Sequence, residues 1–327
     1  MVSEGIPAAV DCPSMRVCLM IEGQEDVTWD DWMALADASE AAGLDGLFRS
    51  DHYLSGDGRV GRGSLDAWTT LAAIATRTTR VRLGTMVSPA TFRHPSVLAK
   101  CAVTVDHISG GRAELGLGAG WYELEHDAFG FPFPPLGERM ALFEEQLEIV
   151  HGQFTQDEYS FSGRHYNLDR CPALPRPLQE RMPLIVGGSG KPRTVAAAVR
   201  FADEYNTTEG ELEGHRALRR ALDQGCENAG RDPGSLVLSV MTTVLLGRDE
   251  AEFRERADRL ASLHFPDSTG AQLIEKYRDE CVFGTLEQAA ERLDEMESAG
   301  VTRIMLQHLD HRDLDAVALI GELAAAG

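Results

Sequence analysis

The sequence predicts an α/β fold, specifically a (β/α)8 TIM barrel, and three observations carry that expectation. Eight candidate strands, most of them short apolar segments, recur near residues 15, 46, 81, 112, 183, 203, 236 and 301. Stretches of helical periodicity separate them, which implies parallel pairing through crossovers. The first segment leads into Glu22-Gly23-Gln24-Glu25 rather than the G-x-G-x-x-G turn expected of a doubly wound open sheet. Eight such units close a barrel, and the 327 residues are read as one domain, 1–327, because barrels routinely exceed the usual domain length.

Taken in order, residues 15–21 (MRVCLMI) are almost wholly apolar, the mark of a strand buried on both faces. Thr28 caps a helix that spaces Trp32, Leu35 and Ala36 on one side and stops at Gly43. Leu47 and Phe48 mark the second strand; an irregular Gly-rich stretch over 55–63 precedes a helix over 66–76. A strand over 81–87, a helix over 96–105 and a strand over 112–118 follow, then a long loop and a helix over 138–154 with Met140, Phe143, Leu147 and Val150 in phase. The repeat is interrupted once, where Tyr159, Phe161, Tyr166 and Leu168 alternate around Gly163, so the barrel is expected to carry a β-hairpin insertion followed by a Pro-rich connector. Strands over 183–186, 203–205, 236–246 and 301–306 and helices over 192–201, 211–229, 250–263, 286–299 and 314–325 complete the pattern.

Composition excludes several functions. Lys+Arg 31 against Asp+Glu 52 leaves a formal net charge of −21, which repels phosphate backbones and anionic lipid, and no basic stripe offsets it. No nucleic-acid or membrane partner is expected. The first residues have no basic region followed by an apolar stretch, and no run approaches the length of a membrane span, so a cytoplasmic protein is expected. Its six cysteines lie far apart without a C-x-x-C pair and are read as reduced thiols. Neither H-E-x-x-H, a G-x-S-x-G elbow nor a P-loop occurs, and no metal is expected.

In a barrel the chemistry lies just after the strands. Asp51 and His52 follow the second one, a carboxylate beside an imidazole able to donate and orient a proton. Gly116, Gly118 and Gly120 with Ala119 and Trp121 end the fourth, where alternating glycines let backbone approach a flat ligand; Glu125 and His126 lie shortly downstream. Gly187, Gly188, Ser189 and Gly190 lead from the fifth strand into a helix, forming a phosphate cradle to which Lys191 and Arg193 add charge.

Ser50-Asp51-His52, then Leu83-Gly84-Thr85-Met86-Val87 with Phe92-Arg93-His94-Pro95, then Gly118-Ala119-Gly120-Trp121 together resemble the luciferase-like monooxygenase superfamily. Leu98-Ala99-Lys100, Asp106-His107-Ile108-Ser109-Gly110-Gly111-Arg112, Ala202-Asp203-Glu204-Tyr205-Asn206 and Gly284-Thr285 extend the likeness over nearly the whole chain, and residues 20–24 (MIEGQ) with 48–53 (FRSDHY) resemble its deazaflavin branch. The resemblance implies coenzyme F420, with FMN as the alternative. It implies that Asp51 and His52 lie beside the ring, that Met86-Val87 is a non-prolyl cis peptide pressing on its centre, that Gly118, Ala119, Gly120 and Trp121 meet its edge, and that Gly187 through Gly190 take the phosphate; Glu125 joins these cofactor-side candidates. It also implies a homodimer.

The function expected is therefore an F420-dependent oxidoreductase moving a hydride between the deazaflavin C5 and an organic small molecule, with His52 and Asp51 as catalytic residues. The alternatives are an FMNH2-dependent monooxygenase using O2 and a non-catalytic flavin-binding barrel. Relatives acting on sugar phosphates carry a basic substrate pocket. Residues 263–280 here place Lys276 and Arg278 among Asp267, Glu275, Asp279 and Glu280, so a phosphorylated sugar is not the expected substrate.

Overall fold

The computed structural model describes residues 15–58, 61–208 and 210–326; the N-terminal stretch read above for targeting, with Cys12, lies outside them. Eight parallel strands close into a barrel. We number them β1 (Arg16–Ile21), β2 (Gly46–Arg49), β3 (Arg82–Thr85), β4 (Ala113–Gly118), β5 (Leu184–Gly187), β6 (Glu204–Thr208), β7 (Val237–Gly247) and β8 (Arg303–Gln307). Each pairs with the next, and β8 returns to β1 with Met20 opposite Gln307. The helices are α1 (Trp29–Ala41), α2 (Ala67–Arg77), α3 (Pro95–Ser109), α4 (Glu123–Phe129), α5 (Leu136–Thr155), α6 (Pro192–Phe201), α7 (Leu212–Asn228), α8 (Glu250–His264), α9 (Gly270–Tyr277), α10 (Leu286–Ser298) and α11 (Leu314–Ala326).

Helix starts follow side-chain chemistry. Thr28 and Asp31 form a reciprocal capping box that opens α1, and Asp66 accepts from the Thr69 N–H to open α2. The hairpin pairs Glu158–Ser162 with Asn167–Pro172, so its second arm runs further than the sequence indicated. Three short segments had no sequence signal: α4, which lies within the expected long loop, α9, and an extra strand Val282–Thr285 that pairs with the end of β7. None of the described helices is long and apolar enough to cross a membrane.

Alternation along each strand builds two apolar layers. Val17, Leu19 and Ile21 of β1 and Ile304 and Leu306 of β8 join the outer core under the helices. Cys18, Met20, Phe48, Ile185 and Met305 fill the barrel. Below them the interior is charged. The buried Arg303 guanidinium donates to Glu114 (2.7 Å) and Glu204 (3.0 Å), pairs with Asp45 (3.1 Å), and faces the Cys18 thiol; Arg82 pairs with Glu114 from the other side. Arg303→Met leaves Glu114 and Glu204 buried without that cation, and should cost about 3–5 kcal/mol. Urea unfolding reads this as a lower midpoint; an unchanged midpoint would refute the clamp.

Candidate active site

The carboxyl ends of the strands open into a cavity of about 1150 Å³ whose wall includes Glu22, His52, Val87, Trp121, Ser189 and Met241. Pockets for small molecules run to roughly 300–1,000 Å³, and this one lies just above that range.

Strand parity decides which side chains reach it. Phe48 of β2 points into the barrel and Leu47 into the outer layer. Continuing that alternation turns Ser50 and His52 toward the cavity and Asp51 away from it. Asp51 is buried, accepting from Ser88 Oγ (2.6 Å) and from both ends of the Arg93 guanidinium (2.5 and 3.1 Å). The carboxylate that orients His52 is instead Glu125 of α4, with His52 Nδ1 at 2.8 Å from Oε2. The backbone N–H groups of Tyr53 and Leu54 donate to the other oxygen, so Glu125 is a fixed acceptor and Nδ1 carries the proton. Nε2 is left toward the cavity.

Burial disfavours an imidazolium at His52, but the Glu125 hydrogen bond and the charges of Glu125, Glu22 and Asp51 outweigh it, and the pKa is raised. Burial likewise opposes ionisation of Glu125, and His52 with the two backbone donors brings its pKa down.

The Met86–Val87 peptide is cis, as the resemblance implied. Val87 then stands between β4 and β5: a Cβ on Gly118 would lie 2.8 Å from its Cγ2, and one on Gly187 3.0 Å from the same atom. A Cβ on Gly116 would meet Thr85 O at 2.1 Å. These glycines make room for the neighbouring strand and for Val87, and Gly118 and Gly187 also line the cavity. Ala119, Gly120 and Trp121 line the mouth beyond. Trp121 is 67% exposed, stacked on Tyr122 at 4.9 Å and edge-on to His52 at 5.7 Å.

The cradle is narrower than expected. Gly187, Gly188 and Ser189 line the cavity, whereas Gly190 turns away and its N–H donates to Tyr205 Oη at 2.8 Å. A Cβ on Gly188 would meet Tyr205 Oη at 2.5 Å and Thr194 Oγ1 at 2.9 Å, so protein rather than ligand excludes a side chain there. What faces the cavity is the start of α6, which no side chain caps. Its free N–H groups and dipole suit an anion. Of the two cations expected there, Arg193 is held by Glu144 through two 2.8 Å bonds, and Lys191 has no ion pair among the described residues. Sequence reasoning missed Glu22, Gln307 and Met241, although parity past Met20 and Met305 points to the first two.

A closed parallel barrel with an acid-oriented imidazole and an anion-accepting helix end around one strand-end cavity defines a barrel protein of the ligand-processing type. The family model for the luciferase-like monooxygenase domain matches residues 15–321, and the chain belongs to that family. An F420-dependent glucose-6-phosphate dehydrogenase from Nakamurella multipartita is 36% identical over 202 residues, 60% of this chain and 58% of that protein. The chain thus spans under two thirds of that relative's length. One of the same name from Kineococcus radiotolerans is 30% identical over 241 residues, 70% of each. Among solved structures, an F420-dependent secondary alcohol dehydrogenase in complex with an F420-acetone adduct superposes with a TM-score of 0.79 at 18% identity, covering 95% of this chain and 98% of that one. A monooxygenase from Streptomyces bottropensis does so at 0.81 and 21%, with the same coverage. Similar scores for a dehydrogenase and a monooxygenase show that the fold is shared by both chemistries.

Glu125→Gln should lower the pKa of His52, read by imidazole NMR titration. A folded-state pKa above the ordinary ~6.5 contributes stability that is fully present below that value and lost as pH rises through the folded one. The wild-type protein's advantage over Glu125→Gln should therefore shrink as pH is raised through that window; an advantage that grows would contradict the assigned pair.

Proposed function

We propose that this chain is an oxidoreductase that holds coenzyme F420 and transfers a hydride between it and an organic small molecule, with His52 as the proton-handling residue and Glu125 as its orienting partner. The observation that carries the reading is that His52 Nε2 and the uncapped start of α6 open into one cavity. The names of the curated relatives support the same cofactor. When bound, the deazaflavin supplies a carbon-centred hydride donor or acceptor.

The anion end favours F420 over FMN on charge. An FMN phosphate is a dianion near neutral pH, and a poorly paired dianion is costly. With Arg193 already neutralised by Glu144, Lys191 is the one cation the cradle offers among the described residues, which matches the single charge of a phosphodiester. Ser189, Lys191 and Arg193 are exposed, and the cavity continues past them to Leu136 and Gly137, leaving a path for a tail.

The residues then have distinct work. Glu125 keeps the Nδ1 proton of His52 in place, so that Nε2 is the atom that gives or takes a proton as the substrate carbon changes oxidation state. Val87 and the glycines around it would back the ring of a bound coenzyme, and Trp121 at the mouth would limit its exposure to water. Asp51 acts at one remove, fixing Arg93 and through it the Tyr53 hydroxyl (3.0 Å) and Asp66 (2.7 Å).

Titrating the purified protein with F420 and with FMN should give the lower dissociation constant for F420. His52→Ala should then reduce turnover about 10²–10⁴-fold with coenzyme affinity nearly intact. Tighter FMN binding with stoichiometric oxygen consumption would replace this reading by the monooxygenase one.

A further inference from the structure

We propose that the substrate half of the cavity is built for a non-anionic molecule that presents an O–H or N–H donor to Glu22. The inference rests on the functional reading above and names the substrate class of the same site.

Glu22 follows β1 and continues its inward row, Cys18 and Met20, so it enters the cavity above the barrel core. Gln307 does the same at the end of β8, opposite Met20. Both Glu22 oxygens accept amide hydrogens, one from Gln24 Nε2 (2.7 Å) and one from Gln307 Nε2. The amides are fixed in that sense. Gly23 N–H donates to Ser50 Oγ (2.9 Å), whose hydroxyl donates to Gln24 Oε1, and the Thr243 hydroxyl donates to Gln307 Oε1 (2.9 Å). Two neutral amides thus present only donors to Glu22, the arrangement an ionised carboxylate requires.

They bring hydrogen bonds and no countercharge. Among the described residues no Lys, Arg or His nitrogen lies within 4.0 Å of Glu22. The nearby cation on this side, Arg62, is paired with Glu25 and donates to Leu263 O (3.0 Å). The two late basic residues take no part: Lys276 sits over the Tyr277 ring and Arg278 over Phe253, and neither lines the cavity. Phe265, Leu309 and Met241 add apolar surface to this wall, beside the His264 imidazole, whose Nε2 donates to Leu309 O (3.2 Å) while its Nδ1 accepts from Arg62 (3.4 Å). A phosphate or carboxylate brought against Glu22 would meet its charge with no Lys, Arg or His nitrogen of the described residues within 4.0 Å of that carboxylate to offset it, whereas a hydroxyl or ammonium on an apolar skeleton meets the lone pairs that the two amides leave free.

The test uses four probes, cyclohexanol, cyclohexylamine, cyclohexanecarboxylate and glucose 6-phosphate, titrated calorimetrically into the full chain in phosphate buffer, which fills the α6 end. Cyclohexylamine and cyclohexanol should bind at least about tenfold tighter than the two anions. Glu22→Gln, nearly isosteric, should erase the advantage of the amine, and Glu22→Asp should keep the order. Equal or tighter binding of either anion to the wild type, or an order unchanged in Glu22→Gln, overturns the proposal. The ranking is read without coenzyme and again with F420 bound. Failure of F420 to bind would overturn the functional reading, while the ranking still judges this one.

Discussion

The charged clamp inside the barrel floor is the interaction on which the remaining structure depends. Arg303 of β8 joins Glu114 of β4 and Glu204 of β6, with Asp45 before β2, the Cys18 thiol of β1 and Arg82 of β3 completing the ring. Five of the eight strands, or their edges, meet at one guanidinium, and β3 joins through Arg82 on Glu114. Burial by itself would raise the Glu114 pKa, but Arg303 and Arg82 bring it down to about 2, so the carboxylate stays ionised in a site that excludes water. Burial pushes the Cys18 thiol upward and keeps it neutral. Such a network need not exceed an apolar core in stability. Its effect is geometric: the planar fork fixes strand register at the amino ends, and therefore also which residues stand above the Met20, Phe48 and Met305 layer at the carboxyl ends.

Much of that architecture was legible because strands buried on both faces read as continuous apolar runs, and all eight fell where residues 15–306 placed them. What escaped lacks such a signature. Val282–Thr285 is a four-residue strand at the end of β7, and α9 has eight residues, too short for periodicity to emerge. The site was half legible for a similar reason. His52 and the α6 start were found from their positions after strands, but Asp51 was assigned to His52 by adjacency. Adjacent residues on an extended chain point to opposite sides. That rule separates Asp51 from His52 without a structure and leads from Met20 to Glu22. Glu125 as the partner of His52, 73 positions away, is a tertiary fact that no local pattern contains.

Arg93 pairs with Asp51 behind the cavity wall, and Arg62 pairs with Glu25. Three carboxylates raise the His52 pKa: Glu125, which touches it, then Glu22 and, least of the three, Asp51, which act through space. The first belongs to the scaffold, since two backbone N–H groups hold it.

The second stands open to whatever occupies the cavity. A donor or cation placed on Glu22 offsets part of its negative charge and so lowers the proton affinity of His52. The imidazole therefore gives up its proton more readily with such a molecule bound than in the empty cavity. Reciprocity follows from linkage: a protonated His52 weakens the hold of Glu22 on a cationic ligand, and a neutral one strengthens it. Residues placed above a rigid floor by the alternation of β1 and β2 are in this way coupled, so that occupancy on the substrate side and the charge of the proton-handling residue are not independent quantities.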